Sequence, residues 1–218
     1  MPAIMRLYED VLCNAAATAI TLPALPRMIF LLHGSATIDG RTLSDGEAWQ
    51  GEEAVTVVAG SRGASAWRFE LAGGDAADGK FAAASRPKLA ARVETLPEGD
   101  LLLRGDTVAF PPGGCAYLHR HRGPGIRCLI EGGIRIDTGG CSTSYGPGGA
   151  WYENGPEPVF AQAASDRATR FVRMMILPRA LLGKSSIEYL DPAVQERPKS
   201  QSYRIFADAP IVFRDVCG

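Results

Sequence analysis

The chain repeats itself, and that constrains its fold more than any other feature. Phe30-Leu31-Leu32-His33-Gly34-Ser35-Ala36-Thr37-Ile38-Asp39 lies over Cys128-Leu129-Ile130-Glu131-Gly132-Gly133-Ile134-Arg135-Ile136-Asp137, 98 residues on, with Gly, Ile and Asp coinciding. Past a four-residue insertion the spacing becomes 102, and Gly46-Glu47-Ala48-Trp49 falls on Gly148-Gly149-Ala150-Trp151 and Val57-Val58-Ala59 on Val159-Phe160-Ala161. Trp67-Arg68-Phe69 lies over Val172-Arg173-Met174 at 105. A duplicated stretch has to reach the same fold twice within half the chain. Its apolar runs are short, rich in Val, Ile, Leu and Phe, and separated by many of the 25 glycines and 15 prolines, which is the punctuation of strands joined by turns. Each copy therefore reads as an all-β sandwich or barrel. Helical periodicity is scarce, leaving one short turn after Pro178, over Arg179 to Leu182, and another after Pro192, each begun by a proline suited to the first helical position.

The division that follows is residues 1–74 as a first barrel, 75–92 as a linker, 93–178 as a second barrel and 179–218 as a tail. The linker is read from Gly73-Gly74-Asp75-Ala76-Ala77-Asp78-Gly79-Lys80. The tail's extended pieces, Ser202 to Phe206 and Ala209 to Phe213, are free to return to the first unit's sheet or to pack on either barrel. With 23 basic and 24 acidic residues in 218, no global charge favours nucleic acid or an anionic membrane as partner. No apolar run reaches membrane-spanning length. The start, Met1-Pro2-Ala3-Ile4-Met5-Arg6, lacks the pattern of a secretory signal, so a cytoplasmic location is expected. Five irregularly spaced cysteines without a Cys-x-x-Cys pair read as free thiols.

Two of the three histidines, His119 and His121, stand one residue apart. On a strand they share a face, so their rings converge, and converging neutral imidazoles are a common start for a transition-metal site. The plainer reading is a hydrogen-bonded pair inside a barrel. Arg120 and Arg122 alternate with them and face outward, and His33 beside a turn glycine reads as solvated. The recurrence of Trp49 and Trp151 at equivalent places gives both a packing role.

Gly113, five residues, His119-Arg120-His121 and a closing Gly132 resemble the first metal motif of the cupin family. Pro147-Gly148-Gly149-Ala150-Trp151 resembles the core of the second. The resemblance implies two tandem cupin jelly-roll barrels, a bicupin, with a divalent metal ion (iron, manganese, nickel or zinc) held in the second. Two of the four ligands it implies are missing, because Gly125 stands where the family has glutamate and Val159 where it has histidine. The first copy carries Thr21 and Pro23 in place of the two histidines and is expected to be metal-free. In the second, Glu153 is the side chain placed to complete a two-histidine, one-carboxylate set, its alternatives being a solvated acid or a partner for Arg127. Tyr117, Arg127 and Trp151 are expected to line a substrate pocket, Tyr117 because it lies two residues before His119.

Two functions follow. One is a metal-dependent enzyme, dioxygenase-like or Lewis-acid in chemistry, acting on a small organic substrate. The other is a barrel that binds or senses a small molecule without turnover. A homodimer through sheet edges or the tail is a further expectation.

Overall fold

Val159, Ala161 and Ala163 are buried while Phe160 and Gln162 between them are only half-buried. Ala19–Leu22 alternates in the same way, the period of two that turns one face of a strand inward. The computed structural model describes residues 3–13, 19–73 and 84–213. It divides into two compact units, one of residues up to Thr95 together with the stretch from Ile211, the other Leu96–Pro210.

The first unit contains β1 (Ala3–Leu12), β2 (Ala19–Leu22), β3 (Arg27–Ile38), β4 (Arg41–Ser44), β5 (Ala48–Gly51), β6 (Val55–Gly73) and β7 (Ser85–Val93). Its strands run in the order β4-β3-β6-β1-β7, with β2 beside β6 and β5 beside β3. The long β6 pairs with β2 at its start, with β3 along its middle and with β1 at its end, so one strand curves through the unit. Leu31, Ile38, Leu43 and Trp49 are in its core.

In the second unit β8 (Leu101–Phe110), β9 (Cys115–His121), β10 (Gly125–Glu131), β11 (Ile134–Thr138), β12 (Cys141–Tyr145), β13 (Ala150–Glu153), β14 (Val159–Ala163), β15 (Thr169–Pro178), β16 (Ile187–Tyr189) and β17 (Ser202–Ile211) make two five-stranded sheets. The orders are β13-β10-β15-β8-β17 and β12-β11-β14-β9-β16. Apolar inner faces close on Val108, Leu129, Ile136, Trp151 and Phe171, giving a jelly-roll barrel. The two short helical turns stand where the prolines place them, at Arg179–Leu181 and Pro192–Gln195, the second capped by the Asp191 carboxylate on the Ala193 N–H. Among the described residues no helix is long and apolar enough to cross a membrane.

The duplication reappears in the strand register. Trp151, Arg127, Arg173 and Asp106 are successive cross-strand partners over β13, β10, β15 and β8. Trp49, Ile29, Arg68 and Tyr8 are the same row in the first unit, at the sequence spacings of the repeat. Gly34 and Gly132 hold positive φ at 88° and 86°, and a Cβ on either would sit 2.2–2.3 Å from a carbonyl oxygen, of Gly63 or Ala168. Only glycine fits that turn.

Two boundaries differ from the sequence reading. Residues 85–93 are strand, paired with β1, since the basic and apolar residues of Ser85–Val93 can cover the edge of β1; residues 74–83 lie outside the described residues. The tail, whose place the sequence leaves open, supplies β16 and β17 beside β9 and β8, and the stretch from Ile211 goes with the first unit.

Candidate metal centre

β9 turns His119 and His121 inward as their spacing requires; they are 4% and 5% exposed. Tyr117 does not join them. The register of β9 on β14 steps from Ala116 opposite Ala161 to His119 opposite Val159, so β9 carries one extra residue there. That bulge resets the alternation. Ala116, His119 and His121 line the interior cavity, while Tyr117 lies outside it beneath Arg197 and Lys199, each 5.9 Å from its ring. Outward placement of Arg120 and of His33 agrees with the sequence reading: Arg120 pairs with Glu188 in solvent, and His33 is exposed beside Asp45.

The His119 Nδ1–H donates to the Tyr117 carbonyl at 2.6 Å. A carbonyl can only accept, which leaves the lone pair on Nε2. That nitrogen lies 3.3 Å from Nε2 of His121. Burial, the largest effect, holds His119 below the ordinary imidazole value. His121 is pushed well below it, first by burial and then by the positive charges of Arg127 and Arg173. Both rings are therefore neutral, the form that ligates metals. The Ser186 backbone lies beside the His121 ring, whose Nδ1 has no partner in hydrogen-bond geometry.

Glu153 is directly across from Gly125 on the neighbouring strand. Its Oε1 accepts from the Trp151 indole N–H at 2.8 Å. Its Oε2 is 2.7 Å from Arg127 Nη2 and 3.8 Å from His121 Nε2. The charge contact with Arg127 is close but is not in hydrogen-bond geometry, for both Nη2 and Oε2 lack a hydrogen-bond partner. Arg127 donates instead through Nη1 to the Gly125 carbonyl at 2.7 Å, and burial pulls its guanidinium down to about 10. A side chain at position 125 would meet Met174 O at 2.8 Å and Arg127 Nη1 at 2.9 Å. The guanidinium thus occupies the space beside the position where the family motif has glutamate. Val159 is buried on the cavity wall opposite His119, so no fourth ligand comes from β14.

Arg173, which the sequence reading passed over, lies beside Arg127 in register. It is bound by both oxygens of Asp106, at 2.7 and 3.0 Å. Trp151 stacks on Tyr145 at 4.9 Å and meets Phe171 edge-on at 5.2 Å, which seals the cavity toward the apolar core. The cavity itself is about 20 Å³, room for one water-sized occupant.

Among the described residues five buried side-chain polar atoms lack a hydrogen-bond partner, and four of them, on His121, Arg127, Glu153 and Gln201, belong to residues lining this cavity. Orphaned groups concentrated at one place call for an occupant that satisfies them. The first unit makes the opposite arrangement. Arg27 and Arg68 share Glu70, and Arg68 also holds Asp10, so these buried charges close on one another. Thr21 and Pro23 there are exposed.

The donor set fits a cation without being closed around one. A 3.3 Å separation suits two nitrogens in neighbouring positions about 2.1 Å from a single ion. Glu153 Oε2 is the unpartnered acceptor beside them. Among the described residues no three His, Cys, Asp or Glu side chains already form a cation site, because Glu153 leans on Arg127.

No family model matches the sequence, and no curated protein matches it at a significant level. Solved structures do. One structure of Bacillus subtilis oxalate decarboxylase, described for its Mn(II) centers, superposes with a TM-score of 0.63 and 13% identity over 88% of this chain and 73% of that one. The same protein at pH 4.6 gives 0.54 and 13% over 90% and 69%. A cupin 2 conserved barrel domain protein from Leptotrichia buccalis is a weaker likeness, 0.48 and 12% over 80% and 84%. At such identity the likeness is one of fold, the jelly-roll barrel architecture that this chain shares with oxalate decarboxylase.

Proposed function

We propose that the second unit is a divalent-metal centre in which His119, His121 and Glu153 hold a manganese, iron, nickel or zinc ion, and that the chain uses it on a small organic substrate. The observation that carries this is the cluster of unpartnered polar atoms around two imidazole nitrogens 3.3 Å apart. The Mn(II) centers of a protein that shares the fold support the choice of a divalent ion. When bound, such an ion supplies Lewis-acid polarisation or a place for dioxygen and substrate to meet.

The residues divide the remaining work. His119 is held in the ligating tautomer by Tyr117 O. His121 presents its Nε2 lone pair once its proton resides on Nδ1. Arg127 competes with the ion for Glu153 and, when the carboxylate turns to the ion, is left free to hold an anionic group of the substrate. Asp106 keeps Arg173 in place as a second positive charge. Trp151 and Phe171 exclude water from the inner end.

Calorimetric titration of the metal-free chain with Mn²⁺ tests the reading. Saturable binding that disappears in a folded His119→Ala, His121→Ala double variant is expected; identical binding by both proteins overturns it. Turnover that depends on the histidines, in a screen of small acids and alcohols, would separate a catalyst from a binding barrel.

A further inference from the structure

We infer that the cavity of the second unit takes a neutral hydroxyl group, and that the ligand is a small alcohol with its oxygen in the cavity and its apolar body in an outer cleft. The inference stands without a metal ion, since it concerns the chain while Arg127 keeps Glu153. It starts from Gln201, just ahead of β17, which is 8% exposed and lines the cavity. The amide Nε2 donates to the Tyr189 hydroxyl at 3.1 Å, and Tyr189 is itself the cross-strand partner of His119. So anchored, the amide leaves its Oε1 buried and without a partner. An amide oxygen can only accept, so it selects a donor. At the same cavity Glu153 Oε2 is a second buried acceptor, and Arg127 Nη2 a buried donor, that lack hydrogen-bond partners.

Charge and size decide the head group. Arg127 is offset by Glu153 and Arg173 by Asp106, so the fixed charges at the cavity cancel in pairs. A carboxylate has no proton for Gln201 Oε1 and would bury a charge without a counter-ion. An ammonium would also bury a charge, and it cannot accept from Arg127 Nη2. A hydroxyl does both, donating to the amide oxygen and accepting from the guanidinium. It also fits. The cavity of about 20 Å³ has room for one water-sized group, which suits a single oxygen and not the forked end of a carboxylate.

A second cleft, about 270 Å³, shares Arg173, Ile187 and Tyr203 with the cavity, so the two spaces lie side by side. Its size approaches the range of small-molecule sites, ~300 Å³ and upward. Ile187, Tyr203 and Ile205 give it an apolar wall, and Tyr203 and Ile205 are 47% and 57% exposed, large apolar surface beside a buried polar cavity. Its basic side chains are not set for an anion. Arg173 is held by both oxygens of Asp106, Arg104 by Asp208 and by the carbonyls of Leu181 and Lys184, and Lys184 is exposed. The cleft therefore covers an apolar body, and the cavity holds its hydroxyl.

The test uses the metal-free full-length chain at constant pH and compares benzyl alcohol with benzoate, benzylamine and toluene, which keep one body and change the head. Proton–carbon correlation follows the imidazole C–H signals of His119 and His121, with exposed His33 as the internal control. Benzyl alcohol is expected to shift both cavity signals saturably, at a concentration at least about tenfold below that needed with the other three. Methanol, the head without the body, should also need at least about tenfold more. Gln201→Leu should abolish the advantage of benzyl alcohol over toluene, with the His33 signal and the circular dichroism unchanged. Tyr189→Phe keeps Gln201 but frees its amide to turn, and should cut the same advantage at least about threefold, so the contact is read even where the leucine variant does not fold. Histidine signals that ignore benzyl alcohol, that respond to benzoate or benzylamine at equal or lower concentration, or that respond alike in the parent chain and both variants, overturn the inference. Because no metal enters this experiment, its failure and failure of the Mn²⁺ titration are separate results.

Discussion

At the scale of single residues the proposed centre sets Arg127, which lies 2.7 Å from Glu153, against a cation for one carboxylate. Glu153→Gln keeps the Trp151 contact but removes the charge, and should weaken Mn²⁺ at least about tenfold, as loss of a supporting carboxylate does elsewhere. Arg127→Gln should do the reverse and tighten it, while destabilising the fold by about 3 kcal/mol through the loss of a buried charge pair. Calorimetry with chemical denaturation reads both. The histidines also make metal-free stability depend on pH. Their folded-state values lie below the ordinary 6.5, so above it both states are neutral and nothing is gained or lost. As pH falls through about 6.5 the unfolded chain takes up protons first and stability drops, levelling off once pH is below the folded values. Urea midpoints should fall between about pH 7 and pH 5, and fall less in a His119→Gln, His121→Gln variant. His119, His121, Arg127, Trp151 and Glu153 were all legible in the sequence, since period two and the two motif positions suffice to bring them together. Gln201 and Arg173 were not. Gln201 reaches the cavity from a strand 80 residues beyond His121, and only the sheet order shows that.

Elements explain where the reading of a strand held and where it slipped. Regular alternation places Tyr117 inward, and a bulge in β9 turns it out, because one extra residue cannot be seen in a pattern of apolar and polar letters. The linker reading over 75–92 takes in most of a strand, Ser85–Val93, that pairs with β1, since charged residues suit an edge strand as well as a loop. The repeat was the stronger signal, because it reports tertiary equivalence directly. Its two turn glycines test this. Gly34→Ala and Gly132→Ala should each cost at least about 2 kcal/mol, from the left-handed backbone together with the carbonyl overlap. Gly40→Ala, at φ 73° with open space around it, should cost only the backbone penalty, about 1–2 kcal/mol. Thermal denaturation of the three variants side by side gives the comparison.

For the whole molecule, the two units share a fold and diverge in how they treat buried charge. The first closes Arg27, Glu70, Arg68 and Asp10 on one another; the second leaves Glu153 and Gln201 open at a cavity. That contrast is the ground on which we propose the second unit as the functional one. An ion bound at a hundredfold excess over its Kd adds about 2.7 kcal/mol to that unit, or roughly 5–10 °C in its melting temperature. The transition assigned to the second unit should move with Mn²⁺ while that of the first stays put. The most direct measurement is elemental analysis of the chain purified without added metal or chelator, beside a folded His119→Ala, His121→Ala variant. The account predicts close to one divalent first-row ion per parent chain and none in the variant. A parent chain free of metal that also fails to take up Mn²⁺, or equal metal in both proteins, would contradict it.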